Sequence, residues 1–198
     1  MQISTSHRER KKARTREALI TAARRLYREG GFDAVTIAAI TEEAGIAPRT
    51  FFSYFETKED VFLGPGDDRL ERLVQAIRER NPGEPILSTA RREILRIREG
   101  PPQAKRPELA ELLSHPSIIA RLRERWNRWE DVLAECIAQE VGARAGDPEP
   151  MLVAAAITAA IRVAASAALA KPQRRTAIAE RVFGLLAAGM ANYGAALK

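Results

Sequence analysis

The sequence predicts an all-α protein, with a small N-terminal three-helix domain followed by a larger helical bundle. Apolar residues recur at intervals of three and four, and no sustained alternation of β-branched residues or Asn-Gly hairpin turn occurs. Five of the predicted helices have a proline near their first residue, which is a consistent boundary signal. Hydrophobic residues make up 45% of the 198, so the chain is expected to fold around a substantial core.

The first helix is predicted from about Arg8 to Glu29. Its apolar positions repeat with helical spacing and predict one buried stripe, which consists of Leu19, Ala22, Ala23, Leu26 and Tyr27. The glycine pair at 30–31 is predicted to end this helix, because glycine readily adopts the positive φ of a helix C-terminus.

Three short helices are predicted next. The second helix begins after the N-cap Thr36 and ends at Gly45, where a turn needs positive φ. The third runs from about Ala47 to residue 55, with a proline tolerated in its first turn. Thr57 is the predicted N-cap of a fourth helix, and its first-turn carboxylates suit the helix dipole. The run 64–66, Gly-Pro-Gly, is predicted to break it.

Six further helices complete the prediction, at 67–80, 85–99, 107–114, 116–141, 148–170 and 172–197. The segment 151–170 has about the length of a membrane span. Arg162 lies near its centre and alanine dominates it, so insertion would be weakly driven. We therefore expect a buried helix of a protein without a membrane partner.

Charge and cysteine usage suggest a compartment and a partner. The net charge is +6, and residues 1–28 hold nine basic and two acidic side chains. This basic stretch is consistent with a polyanion partner or with a solvated helix face. Cys136 has no second cysteine to pair with, and no apolar stretch follows the N-terminal charges. A reducing, cytoplasmic location is expected.

Two short helices joined by a glycine turn, after a long amphipathic helix, form a predicted helix-turn-helix unit. The second short helix of such a unit enters the DNA major groove. The runs LITAARRLYREGGF and AGIAPRTFFSYFETKED, within residues 16–61, resemble the N-terminal domain of TetR-family transcriptional regulators. The resemblance implies a DNA-binding domain at 1–60 and a ligand-binding and dimerisation domain at 61–198. It also implies a repressor.

The resemblance implies roles for individual residues. Pro48, Arg49 and Thr50 would face the major groove, where Arg49 would read guanine or hold only a phosphate. Other phosphate contacts are expected from Thr36, Tyr54 and Lys58, and from a basic arm at Arg10, Lys11, Lys12 and Arg14. Two positions depart from the family pattern: Phe52 replaces a tyrosine on this face, and Ala38 replaces a polar side chain. Few direct contacts to the bases are therefore expected, and more of the recognition would depend on DNA shape.

In the second domain, one helix carries an apolar stripe with two tryptophans. The stripe is consistent with ordinary core packing or with the lining of a ligand cavity. The candidate ligand-binding residues are Leu122, Trp126, Trp129 and Leu133. A tryptophan-bearing helix followed by an alanine-rich helix resembles the subgroup near the mycofactocin-associated regulators. That resemblance implies a hydrophobic effector, acyl-CoA-like or otherwise.

The last two predicted helices are rich in alanine and glycine, whose small side chains let helices approach closely. In TetR-type proteins the last two helices pair with those of a second copy, so a homodimer is expected; packing within one chain is the alternative. The candidate dimer residues are Ile157, Ile161, Ala164, Ala168, Val182, Leu185, Leu186 and Ala188.

Other classes of function have less support. The chain has two histidines and one cysteine, and no motif of a catalytic or paired-cysteine metal site. We expect no enzyme activity, cofactor or metal. The expected partners are an operator in double-stranded DNA, a second copy and a small effector. The alternative is a helical acyl- or lipid-binding module with an incidental basic N-terminus. Such a module has no reason to keep the spacing of Arg49, Thr50, Tyr54 and Lys58.

Overall fold

A computed structural model describes residues 7–64, 67–96, 111–112, 114–144, 146–170 and 175–189. All regular secondary structure in these residues is helical, which confirms the all-α prediction. The helices are α1 (His7–Ala34), α2 (Ile37–Glu43), α3 (Pro48–Phe51), α4 (Lys58–Leu63), α5 (Asp67–Arg78), α6 (Ile86–Arg96), α7 (Pro116–Val141), α8 (Pro148–Ala170) and α9 (Arg175–Ala187).

The chain divides into two compact units. The N-terminal unit comprises residues 1–65 and 112–121, and the C-terminal unit comprises 66–111 and 122–198. The predicted domain boundary after residue 60 is therefore close to the observed boundary between residues 65 and 66. The N-terminal unit also includes residues 112–121, which a single boundary after residue 60 does not describe. The contacts that place them there join residues far apart in sequence, so no local pattern could reveal them.

Helix α1 buries the predicted stripe, with Leu19 and Ala23 fully inaccessible to solvent. The helix has a kink at Gly31, whose φ of 72° and ψ of −179° are not helical, and a final turn reaches Ala34. A Cβ atom on Gly30 would lie 2.8 Å from Ala34 Cβ. The glycine pair ends the regular helix, as predicted, and allows the following turn to pack closely.

The short helices begin and end largely as their caps predict. Thr36 Oγ1 accepts a hydrogen bond from Ala39 N at 3.1 Å, and Gly45 has a φ of 65°. Helix α3 is shorter than predicted, because only a turn continues beyond Phe51. Thr57 and Asp60 form a capping box at the start of α4, which ends at Gly64 with a φ of 73°.

The core of the N-terminal unit holds α3 in place. Phe51 is fully buried and Phe55 is 5% exposed, both in one cluster with Leu19, Val35 and Ile40. Both phenylalanines therefore pack inside the N-terminal unit. Because Phe51 and Phe55 anchor α3 and the turn after it, the exposed side chains of α3 are presented to solvent in a fixed orientation.

The C-terminal unit has its own core, to which five helices contribute. Its buried members include Leu73 of α5, Ala90 of α6, Leu133 of α7, Ile157 of α8 and Phe183 of α9. Helices α7 and α8 have the predicted bounds, and α5 ends two residues early. The predicted helices at 107–114 and 172–197 lie partly outside the described residues.

Among the described residues, one helix is long and apolar enough to cross a membrane. It is the 148–166 part of α8, with a mean hydropathy of 1.4. Core helices of soluble proteins meet the same criterion, and α8 buries one face in the C-terminal core. Among its polar residues, Thr158 is buried and Arg162 is exposed.

Candidate nucleic-acid interface

The N-terminal end of α3 is the most exposed part of the helix-turn-helix unit. Pro48 and Arg49 are exposed, and Thr50 is half-buried above the anchored Phe51. Within the described part of the chain, no carboxylate forms an ion pair with Arg49. Its five N–H donors are therefore available to an external acceptor such as a base edge or a phosphate.

The start of α2 offers a hydroxyl beside this helix. Thr36 is exposed, and its oxygen is used as the acceptor for the cap. The hydroxyl hydrogen remains available, so Thr36 can donate to a phosphate while it caps α2. Ala38 is exposed as well, and its methyl group has no polar atom with which to read a base.

Phe52 places an apolar ring on the same surface. It is 60% exposed and meets Phe51 edge-on, with ring centroids 5.6 Å apart. An exposed aromatic side chain on a polar surface gains little from folding, so its contribution is expected in a complex. Tyr54 is half-buried and packs against the core cluster. The phosphate contact expected of its hydroxyl stays a prediction.

Lys58 has partners inside the N-terminal unit that the sequence did not indicate. Its Nζ donates to Val35 O at 2.8 Å and to Phe32 O at 3.2 Å, and lies 4.4 Å from the centre of the Phe32 ring. An ammonium group has three donors, so at most one remains for a phosphate. The geometry therefore assigns Lys58 mainly to holding the turn after α1, and the predicted phosphate role loses support.

The basic residues of the expected arm lie on helix. Arg10, Lys11, Lys12 and Arg14 occupy the first two turns of α1 and are exposed. The arm is therefore helical from residue 7 onward and does not have the extended form of a minor-groove arm. One turn later, the Arg16 guanidinium lies 4.9 Å from the centre of the Phe55 ring. This contact places the basic turns of α1 beside the chain that follows α3.

A buried ion pair on α4 was missed by the sequence analysis. Arg121 donates from Nε to Asp60 Oδ1 at 3.0 Å and from Nη2 to Asp60 Oδ2 at 2.8 Å. Asp60 Oδ2 also accepts from Thr57 N at 3.1 Å, and Arg121 forms a further ion pair with Glu56. Both side chains of the main pair are 10% exposed. We call this group the Arg121 clamp.

His115 makes a second contact across the N-terminal unit. Its ring lies 4.5 Å from the Phe32 ring, and its Nε2 is 3.2 Å from Asp33 Oδ1. Together with the Arg121 clamp, this contact explains why residues 112–121 belong to the N-terminal unit.

The candidate ligand residues of α7 are divided between core and surface. Trp129 is 3% exposed and Leu133 is fully buried, and both belong to the C-terminal core. Trp126 is half-buried and meets Trp129 edge-on, with ring centroids 5.2 Å apart. Leu122 is half-buried. Core packing therefore accounts for most of this stripe, and its cavity-lining role stays a prediction.

The candidate dimer residues include several that this chain covers by itself. Ile157 is fully buried, Ile161 is 9% exposed and Ala164 is 6% exposed. Packing within one chain therefore accounts for the burial of these three side chains, and their role in a dimer stays a prediction. Val182 and Leu186 pack partly against the core, whereas Leu185 and Ala188 are exposed. The side chain of Ala168 lies outside the described residues.

Of the seven large hydrophobic side chains that are exposed in the described residues, four lie on α8 and α9. They are Met151, Leu152, Val163 and Leu185, with exposed fractions between 36% and 70%. Leu152, Ala156, Ala159 and Val163 follow a four-three-four spacing on one face of α8, which is the spacing of helix–helix seams. We call these four residues the α8 stripe.

A short helix held by buried phenylalanines, with an exposed arginine at its start, defines a helix-turn-helix DNA-binding unit. Residues 19–64 match the family model described as bacterial regulatory proteins, tetR family, and residues 84–191 match the model described as MftR C-terminal domain. The chain belongs to the TetR family of transcriptional regulators. The predicted family and its subgroup are thereby confirmed.

The chain is similar to named relatives over most of its length. It is 33% identical to the HTH-type transcriptional regulator TcmR of Streptomyces glaucescens over 166 residues, which are 79% of this chain and 74% of TcmR. NalD of Pseudomonas aeruginosa, a secondary repressor of the MexAB-OprM efflux pump, shares its fold with a TM-score of 0.52 and 19% identity over 87% of this chain and 94% of NalD.

A further structural neighbour is SmeT, solved as a complex with triclosan. Its TM-score is 0.52 at 16% identity, and the match covers 90% of each chain. At this level of identity the likeness concerns the fold alone. The family model at residues 19–64 and the regulator TcmR both describe transcriptional regulators, so the alternative of a lipid-binding module without a DNA-binding function has no support from them.

Proposed function

We propose that this regulator is a repressor that binds a pseudo-palindromic operator as a homodimer and is released by a small, largely apolar effector. The observation that carries the DNA-binding part is the exposed, unpaired Arg49 at the start of an anchored recognition helix. The dimer is supported by the exposed α8 stripe. A two-fold protein reads two half-sites about 34–36 Å apart, or a multiple of that distance.

Selection of bound sequences from a random DNA pool tests the proposal directly. The expected product is an inverted repeat whose half-sites are centred about one or more helical turns apart. Enrichment of a single, unrepeated site would contradict the dimeric mode. Failure to enrich any sequence would contradict specific DNA binding itself.

Arg49→Ala is expected to weaken operator binding by about 1–3 kcal/mol and to relax preference at one base pair in each half-site. The reason is the loss of two parallel hydrogen bonds to guanine O6 and N7. Fluorescence anisotropy with the selected operator and its single-base variants measures both effects. Arg72→Ala, an exposed arginine on α5, is the control and should bind as wild type. An equal loss on operator and random DNA would assign Arg49 to phosphate.

Replacing Arg10, Lys11, Lys12 and Arg14 together by glutamine is expected to flatten the salt dependence of DNA binding. If all four side chains contact phosphates in both subunits, the dimer makes about eight such contacts. These contacts alone would contribute about −7 to the slope of log K against log salt. The control removes four exposed arginines of the C-terminal unit, Arg72, Arg91, Arg123 and Arg144. Equal slopes in the wild type and the α1 variant would show that α1 does not contact DNA.

The effector part of the proposal is supported by the apolar composition of the C-terminal core and by its two adjacent tryptophans. The SmeT structure shows that a fold of this kind accommodates triclosan in SmeT. An effector releases DNA only if it binds the DNA-incompetent state more tightly, and DNA must then lower effector affinity by the same factor. The coupling in such systems is typically about 1–3 kcal/mol.

A further inference from the structure

The indole N–H of Trp129 is a buried hydrogen-bond donor with no acceptor among the residues that the structure describes. Trp129 is 3% exposed, and no described residue provides a hydrogen-bond acceptor for its Nε1 atom. Buried tryptophan N–H groups ordinarily find a partner. A phenylalanine would fill much of the same space without this unpaired group, so the donor is better explained by a role in binding than by packing.

The described side chains buried in one cluster with Trp129 are uncharged. Its core cluster consists of aliphatic and aromatic side chains from five helices together with Cys136. Burial raises the pKa of the Cys136 thiol, so this residue is neutral at neutral pH. Among the described residues of the C-terminal unit, the buried polar side chains are Thr89 and Thr158, and neither carries a charge. The charges that act on Cys136 are those of Arg78, Arg80 and Glu140, and Arg80 is already paired with Glu140. An ionised ligand beside Trp129 would therefore be buried mainly among uncharged side chains, which is costly.

Trp126 extends the same aromatic surface outward. It lies one turn before Trp129 on α7, half-buried, and the two rings meet at an angle of 74°. Edge-to-face aromatic pairs present both a ring face and a ring edge to a third ring. A flat aromatic molecule could therefore pack against Trp126 while one of its polar atoms reaches the Trp129 N–H.

We infer that the effector is a neutral aromatic molecule with a carbonyl-type oxygen, and that this oxygen accepts a hydrogen bond from Trp129 Nε1–H. The inference rests on the proposed function, because it names the ligand class of the proposed effector site. Trp129 recognises the oxygen, Trp126 contacts the ring, and the apolar core excludes charged competitors.

The test compares probes that differ by one carbonyl group. 9-Fluorenone is paired with fluorene, and benzophenone with diphenylmethane. Binding to the full-length protein is followed with ¹⁵N-labelled indoles, which give one NMR signal for each tryptophan, assigned with Trp126→Phe and Trp129→Phe. Each ketone is expected to bind at least about fivefold more tightly than its methylene partner. The Trp129 indole proton should move downfield on ketone binding.

Trp129→Phe is expected to abolish the ketone preference, whereas the matched Trp126→Phe should keep it. If Trp129→Phe fails to fold, Trp129 is replaced by benzothienylalanine in the Trp126→Phe background, because sulfur then takes the place of the N–H in a ring of similar shape. That protein should likewise bind ketone and methylene probes equally.

Three results would overturn the inference: no ketone binding at 1 mM probe (about the weak limit of ligand affinity), equal affinity within each pair, or a ketone preference that survives loss of the Trp129 N–H. Operator binding is measured in parallel. A ketone that binds through Trp129 without weakening operator binding would contradict the proposed regulatory function but would still support the binding site. The proposed regulation and the proposed binding site are therefore contradicted by different results.

Discussion

Arg121→Ala is expected to destabilise the protein by about 3–5 kcal/mol, which is the effect of removing one partner from a buried ion pair. The substitution removes the bidentate guanidinium from the buried Asp60 carboxylate. That carboxylate still accepts hydrogen bonds from Thr57 N and Thr57 Oγ1, but neutral donors do not replace a bidentate guanidinium. Because small domains are stable by only about 5–15 kcal/mol, a large part of the stability would be lost.

The loss should be visible in urea unfolding followed by circular dichroism, and as weaker operator binding wherever the N-terminal unit is partly unfolded. Arg123→Ala is the matched control, since Arg123 lies two residues along the same helix and is exposed. Its effect should stay within about 0.5 kcal/mol. Glu56→Gln should also cost little, because that carboxylate is 62% exposed.

A double variant tests how much of the lost stability comes from breaking the Asp60–Arg121 pair. Asp60→Asn combined with Arg121→Gln removes both charges, so it should cost less than the sum of the two single variants. Equal stability of Arg121→Ala and Arg123→Ala would contradict the clamp. In that case residues 112–121 would be held to the N-terminal helices by the Phe32–His115 contact and apolar packing alone.

The local signals of the sequence were sufficient for most of the helix boundaries. Thr36 and Thr57 cap their helices as predicted, and Gly31, Gly45 and Gly64 adopt positive φ where breaks were expected. These features depend on residues within one or two turns, so the sequence contains the necessary information. The exposed Arg49 and buried Phe51 follow from the same local pattern together with the family resemblance.

Contacts between distant residues could not be predicted in this way. Arg121 is 61 positions from Asp60, and many other arginines were equally available as partners. The same limit explains Lys58, whose motif suggested a phosphate but whose ammonium group is bonded to the carbonyls of residues 32 and 35. A charged side chain near a binding surface has the same sequence signature whether it faces outward or folds back.

The alanine-rich α8 shows a different limit. Nearly every position of this helix is apolar, so the sequence does not show which face is buried. The predicted dimer face contained Ile157 and Ile161, the largest side chains of the middle turns, and the structure uses these two for the core. The exposed face is the α8 stripe, which contains smaller residues between Leu152 and Val163.

Val163→Glu is expected to convert the dimer to monomers and to lower operator affinity by about 10²- to 10⁴-fold. Val163 is 50% exposed in the single chain, so a glutamate there is solvated in the monomer. In the dimer it would be buried without a partner, which costs several kcal/mol. A monomer engages one half-site at a time and loses the avidity of two linked sites, which accounts for the fall in affinity.

The α8 stripe is suited to close approach because its two central members are alanines, and α9 adds a further small residue. A Cβ atom on Gly184 would meet no atom within 4 Å, and the neighbouring Leu185 is 36% exposed. Small residues at the centre of a helix pair with larger apolar ones at its ends allow the two copies to interdigitate. Leu152→Glu should therefore act in the same direction as Val163→Glu.

Ala165→Glu is the control for the Val163 substitution. Ala165 is also exposed, but two residues further along a helix of 3.6 residues per turn it points about 200° away from Val163. The Ala165→Glu substitution introduces the same charge into the same turn and should leave both the dimer and operator binding intact. Sedimentation velocity gives the oligomeric state, and anisotropy gives the affinity. If Val163→Glu stays dimeric and binds the operator as wild type, the α8 stripe is not the interface. If both glutamate variants dissociate, the interface covers more of α8 than this stripe.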